Sequence, residues 1–192
     1  MKVTKAQAQA NRAHIVETAS TLFRERGYDG VGVAELMAAA GFTHGGFYKH
    51  FRSKADLMAE AAACGVSQTA ARYESVDFAE FIKTYVSRWH RDTRSEGCTL
   101  AALGGDASRQ PEAIKAMFAE GIERLLAAIE RDGSVLGGGD REKARAKAID
   151  MLAHAVGAIV LSRACPDDSP LADEILNVCR TEILASFNGS ER

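Results

Sequence analysis

The chain has 192 residues, 46% of them hydrophobic, with only three prolines and a net charge of −2. That length accommodates one small domain beside a larger one, or a single helical unit, and no apolar run approaches what a bilayer crossing needs, so no membrane partner is expected. The opening residues MKVTKAQAQANR lack the apolar stretch of a secretory signal, which points to the cytoplasm; Cys64, Cys98, Cys165 and Cys179 show no C-x-x-C spacing, which argues against structural zinc and leaves reduced thiols, with no metal or cofactor expected.

The charge is unevenly spread. Residues 1–54 hold eight Lys/Arg against four Asp/Glu, whereas residues 55–192 hold sixteen against twenty-two. A basic end on an acidic body is the footprint of a chain that meets phosphate at one end. Alanine abundance, few β-branched runs and the absence of any convincing period-2 stretch predict an all-α fold.

In chain order, Lys2, Lys5 and Arg12 lie on a polar segment leading into a first helix, whose buried stripe is Ile15, Ala19, Leu22 and Phe23 and which Gly27 ends. Lys5 and Arg12 read equally well as phosphate contacts or as a solvated basic tail. A second short helix carries Val33, Leu36 and Ala40 on one face, with Gly32 as an acceptable N-cap and Gly41 where a helix end wants positive φ. Thr43 caps a third, in which Phe47 and Phe51 sit four apart and face the core. That leaves Thr43, His44, Gly45, Tyr48 and Lys49 outside, with His50 at the edge. Gly45 and Gly46 each weaken a helix by about 1 kcal/mol relative to alanine, which suits a surface built for close approach. The pattern reads as a DNA-reading helix-turn-helix whose second helix lies in the major groove. Tyr48 and Lys49 suit phosphate oxygens that position the domain, while Thr43, His44 and Gly45 would carry sequence choice. Ser53-Lys54-Ala55-Asp56 reads as a capping box opening a helix to about Tyr73, with Lys54 in an anion-binding first turn.

The remainder reads as a helical body. Asp77 and Glu80 cap one helix carrying Phe78, Phe81, Ile82, Tyr85 and Trp89; a short helix spans about Cys98 to Arg109; Pro111 begins another, burying Ile114, Met117, Phe118, Ile122, Leu125, Leu126 and Ile129. A flexible loop at Gly137–Gly139 precedes a long helix from about Asp140 to Arg163. Ser169-Pro170 starts the last helix, with Leu171, Ile175, Val178 and Phe187 inward and a frayed tail from Asn188. Ile149, Leu152, Ala155, Val156, Ile159 and Val160 cover more of the long helix than one core face needs, so the last two helices are expected to pair with a second copy.

The segment from about Ala13 to Leu57 resembles the N-terminal domain of TetR-type transcriptional repressors. Ala19, Leu22, Phe23, Gly27-Tyr28, Val33, Leu36, Ala40-Gly41, the run Thr43 to Phe51 and Ser53-Lys54 carry the resemblance, which covers about the first third of the chain. It implies an N-terminal three-helix DNA-binding domain (1–54), a larger helical effector-binding and dimerisation domain (55–192), and about nine helices in all. It implies a homodimer joined through the last two helices in a four-helix bundle, on a palindromic double-stranded operator with half-sites about one DNA turn apart, and release by an unknown small-molecule effector. The chain departs from the family at Gly32, where Thr or Ser usually caps the second helix and touches a phosphate.

Enzyme chemistry is not expected, since H-E-x-x-H, G-x-S-x-G and G-x-x-x-x-G-K are absent and His90, His154 and Cys98 would need the fold to bring them together. Tyr85, Trp89, Met117, Phe118, Met151 and His154 are candidate effector-pocket residues, although such stripes are more often plain core. Cys98, after Gly97 and opening a helix, is a candidate redox sensor, because a helix N-terminus lowers a thiol's pKa. Some TetR-type repressors carry a Gly-Cys pair at a similar point, and some in the family respond to electrophiles through a cysteine.

Overall fold

A computed structural model describes residues 4–73, 76–131 and 141–188. Among them the chain is helical and no strand occurs. The helices are α1 (Lys5–Arg26), α2 (Val33–Ala39), a 3-10 helix (His44–Lys49), α3 (Lys54–Tyr73), α4 (Phe78–Tyr85) and α5 (Arg88–Asp92), then a 3-10 turn (Arg94–Glu96), α6 (Thr99–Ala107), α7 (Glu112–Arg131), α8 (Arg141–Ala164) and α9 (Pro170–Asn188). No described helix is long and apolar enough to cross a membrane. Lys2, the glycine run 137–139, Asp140 and the tail after Asn188 lie outside the described residues.

α1 starts earlier than the polar segment suggested. Thr4 caps it, its Oγ1 accepting the Gln7 N–H at 3.2 Å, so Lys5 and Arg12 stand on the helix itself. Alanines at 6, 8 and 10 supply the propensity that carries it through a polar stretch. Ile15, Ala19 and Phe23 are fully buried, and with Tyr28, Leu36, Met37, Phe47, Phe51 and Leu57 they form the core of the head. α3 packs along α1 on one side and along α7 on the other, so it belongs to head and body together.

The single helix expected over residues 77–89 is two. α4 ends at Val86, and Ser87 breaks the run by serving both sides: its hydroxyl donates to the Thr84 carbonyl at 2.6 Å and accepts the His90 N–H at 3.2 Å, capping α5. In the last helix the inward face is shifted. Ala172, Leu176 and Ile183 are buried, Ile175 and Phe187 are half-buried, and Leu171 and Val178 are exposed. An alanine at the centre of the true face hid the register. On α8, Leu152, Ala155 and Ile159 are buried while Ile149, Val160 and Leu161 are exposed. α8 and α9 pair closely, and the buried Ser162 hydroxyl donates to the Ala172 carbonyl at 2.9 Å.

Gly121 sets how closely α7 approaches α3. A Cβ there would stand 2.8 and 2.9 Å from the two methyls of Val66, a buried β-branched side chain with one strongly preferred rotamer in a helix. Gly121→Ala is therefore expected to lower stability by about 1–2 kcal/mol, overpacking outweighing its gain in helix propensity. Urea unfolding of Gly121→Ala, Val66→Ala and the double variant checks this: the double should be more stable than the two single losses predict.

Candidate nucleic-acid interface

The head presents its candidate DNA-reading surface through two local devices. α2 ends in a Schellman arrangement: the Phe42 N–H reaches the Met37 carbonyl at 2.8 Å, the Gly41 N–H reaches Ala38 at 3.0 Å, and Gly41 sits at φ 79°. Gly32 opens α2 with no side-chain cap, leaving the hydroxyl absent that the resemblance would place there. Residues 44–49 then wind as a 3-10 helix rather than the α-helix expected, consistent with two adjacent glycines of low helix propensity. Thr43 occupies the N-cap position, but its carbonyl closes the turn, accepting the Gly46 N–H at 2.9 Å, and its hydroxyl makes no capping bond.

Phe47 and Phe51 are both buried, their ring centroids 5.5 Å apart, and they fix the segment to the core. Thr43, His44, Gly45, Tyr48 and Lys49 all emerge on the exposed side, and Tyr48 is 70% exposed. His50 is half-buried, its ring between those of Phe42 and Phe51. The two glycines differ: a Cβ on Gly46 would touch Met37, whereas one on Gly45 would meet nothing within 4 Å. Only Gly45 belongs to the outer surface.

Two basic residues turn inward. Lys54 donates to the Tyr28 carbonyl at 2.5 Å with its ammonium 5.9 Å from the Phe23 ring centre, which ties the start of α3 to the end of α1. Half of the expected capping box beside it forms: the Asp56 N–H donates to Ser53 Oγ, while Asp56 Oδ2 accepts from the N–H of Arg52, one residue before the N-cap, each at 3.1 Å. Arg12 is paired with Glu60 and lies 4.5 Å over the Phe51 ring. The exposed cations beside the reading surface are instead Lys49 and Arg52, neither in an ion pair among the described residues. Arg52 has a sequence signal of its own, a basic residue directly after the last core phenylalanine.

The candidate pocket residues do not share one cavity. A cavity of about 460 Å³ between α6, α7 and α8 is walled by Leu100, Phe118, Ile122, Leu126, Leu152 and Val156, with Ser108 and Lys115 as its polar members. A second, of about 280 Å³, lies between α3, α4 and α5 and holds Tyr85, Trp89, Phe81, Arg72 and Cys98. Met117, Met151 and His154 line neither of these two. Each residue turns the helix by about 100°, so Met117 is turned away from the face that Phe118, Ile122 and Leu126 share on α7. Met151 and His154 are likewise turned away from the face that Leu152 and Val156 share on α8.

His90 joins the elements around the smaller cavity. It is 3% exposed; its Nε2 accepts the Cys98 N–H at 2.9 Å, so its proton sits on Nδ1, 2.7 Å from the Tyr85 carbonyl it donates to. Burial pushes its pKa down to about 4, the Arg163 and Arg72 charges adding to that and the Tyr85 carbonyl opposing it. Gly97 permits the contact, since a Cβ there would stand 2.8 Å from the imidazole. Cys98 occupies the N-cap of α6 as expected but is 4% exposed. His90 meets Cys98 through backbone N–H, so this pair is not a nucleophile and base.

A sequence model of the family described as bacterial regulatory proteins, tetR family, matches residues 15–61. The chain is 42% identical over 57 residues to the HTH-type transcriptional regulator AcrR of Shigella flexneri, covering 30% of this chain and 26% of that one. It is 49% identical over 43 residues to the HTH-type transcriptional repressor DhaR of Mycobacterium sp. (strain GP1), 22% of each. The chain thus spans about a quarter of the length of the curated relatives it matches. Its whole fold is similar to that of E. coli NemR in its reduced form, with a TM-score of 0.71 at 19% identity, over 91% of this chain and 95% of that one. What residues 15–61 match is the helix-turn-helix region of the tetR family of bacterial regulatory proteins.

Proposed function

We propose that the protein is a dimeric DNA-binding transcriptional regulator, a repressor released from a palindromic operator by a small-molecule effector. The observation that carries this is the exposed face Thr43, His44, Gly45, Tyr48 and Lys49, held out by the buried Phe47 and Phe51. Lys49 and Arg52 supply phosphate contacts beside it, and Lys54 acts by fixing α3 against Tyr28. The exposed apolar Leu161 on α8 with Leu171 and Val178 on α9 support pairing with a second copy. A two-fold pair places two reading segments about one DNA turn apart, roughly 34–36 Å. The apolar 460 Å³ cavity is the effector site this reading favours, since its size and lining suit a small apolar ligand. An effector there acts only by its differential affinity for the DNA-competent and released states.

Gly45→Ala tests the interface without touching the fold. The added methyl meets nothing in the protein, and removing a glycine's freedom in the unfolded chain stabilises by about 0.4–1 kcal/mol. Operator affinity, measured on DNA selected from the genome across a salt series, should fall while thermal stability holds or rises. Lys49→Ala should weaken binding to all sequences and reduce the salt slope by about one unit. If Gly45→Ala and Lys49→Ala both bind selected DNA as wild type does, the reading fails.

A second reading is favoured by Cys98 lining the 280 Å³ cavity. An electrophile or oxidant entering there would modify the thiol, and release from DNA would follow displacement of α6. Cys98→Ser then abolishes release by thiol reagents and leaves release by apolar ligands intact.

A further inference from the structure

Where the end of α1 meets the body, a cavity of about 440 Å³ opens between α1, the turn at Arg94, α6 and α8. Its volume falls within the range of ligand sites, about 300–1,000 Å³. Four arginines line it, Arg24, Arg26, Arg94 and Arg163, against one carboxylate, Glu25. Glu25 lies 3.7 Å from Arg26, which also pairs with Glu35. The other three guanidiniums have no carboxylate partner among the described residues.

Arg24 is 7% exposed. Its Nε donates to the Ser95 carbonyl at 2.8 Å and its Nη1 to Ser20 Oγ at 2.6 Å, while Nη2 has no hydrogen bond among the described residues. Arg163 donates through Nε to the Arg91 carbonyl at 2.9 Å and through Nη2 to the His90 carbonyl at 2.6 Å, and its buried Nη1 has no partner. Arg94 is exposed and in no ion pair among the described residues. Burial and the neighbouring Arg94 push the Arg163 pKa down to about 10, and burial with the Arg72 charge lowers that of Arg24. Elsewhere the chain neutralises its buried arginine: Arg91, equally enclosed, meets Asp92 at 2.5 Å and Asp167 at 3.1 Å. Buried guanidiniums are costly unless paired, so the missing counter-charge at this joint is the informative feature.

We infer that this joint is a binding site for a small phosphate-bearing anion, which supplies the counter-charge that Arg24, Arg94 and Arg163 lack. Guanidinium forks match phosphate oxygens in geometry, and three of them from separate elements suit an anion of more than one charge. Ala101, Ala102 and Val160 offer an apolar wall to the rest of the ligand. The operator backbone is not the occupant. Arg24 lies twelve residues beyond Arg12, roughly 18 Å along α1, and Arg12 is the residue that sits against Phe51 at the reading segment. The site is also distinct from the apolar effector cavity. Because Arg24 belongs to α1 and Arg94 and Arg163 to the body, an anion held by all three ties head to body.

Isothermal titration of the full chain with pyrophosphate, at ionic strength held constant with sodium chloride, tests this. Arg94 is exposed and makes no side-chain bond among the described residues, so Arg94→Gln leaves the fold intact. Wild type should show saturable binding, Arg94→Gln should weaken it about tenfold or more, the loss of one charge-assisted contact, and Lys49→Gln on the reading face should leave it unchanged. Absence of saturable binding in wild type overturns the site, as does equal affinity in Arg94→Gln or a loss that follows Lys49→Gln instead.

Discussion

Phe47→Ala is expected to cost about 3–5 kcal/mol, the range for removing a buried phenyl group that leaves a cavity. Phe47 is 1% exposed and touches the Phe51 and Tyr48 rings, at centroid separations of 5.5 and 5.3 Å. The segment it anchors has little stability of its own, being six residues of 3-10 helix with two glycines. Against a total stability of about 5–15 kcal/mol for a typical domain, such a loss unfolds much of the head and removes DNA binding with it. The neighbouring Tyr48→Ala should behave oppositely. Its side chain is mostly in solvent, so stability should change by less than about 0.5 kcal/mol while operator affinity falls. Urea unfolding and operator titration of the two variants separate the roles. A Phe47→Ala protein as stable as wild type would mean the reading segment is not held by this ring.

The second large effect is on acid stability. His90 titrates at about 4 in the folded protein against an ordinary value of 6.5, because the ring is buried and the Arg163 and Arg72 charges lie near it. The unfolded chain therefore takes up the proton first as pH falls. The stability contributed by neutral His90 is complete above pH 6.5 and lost progressively down to about pH 4, a loss of roughly 3 kcal/mol. Urea unfolding across that window should show stability rising with pH, with the slope much reduced in His90→Gln. The carboxylates in ion pairs also respond to acid, but they do so in both proteins, so the difference between the two curves isolates His90. Parallel curves would show that the imidazole accepts its proton in the folded state as readily as in the unfolded chain.

What the sequence by itself determined is whatever depends on neighbours within a turn or two. Gly41 takes positive φ, Phe47 and Phe51 face the core, Ser53 caps α3 through the Asp56 N–H, and Cys98 opens α6, because each is a matter of residues one to five positions apart. Local patterns also hid things. Ser87 splits a helix that apolar spacing alone would run through, and in α9 the buried Ala172 carries less apolar weight than the exposed Leu171 and Val178. The tertiary structure decided where long side chains go. Arg12 reaches Glu60 across 48 positions and Lys54 reaches back 26 to Tyr28, so two cations that suited phosphate are bound within the head. It placed Phe118 on one cavity, Tyr85 and Trp89 on another, and Met117, Met151 and His154 on neither, since residue type does not say which face of a helix is turned to which neighbour. It also gathered Arg24, Arg94 and Arg163 around one cavity. Each looks in the sequence like a solvated surface charge, and only the meeting of α1, the Arg94 turn and α8 makes them a site, because an unpaired charge matters energetically only once packing has removed its water.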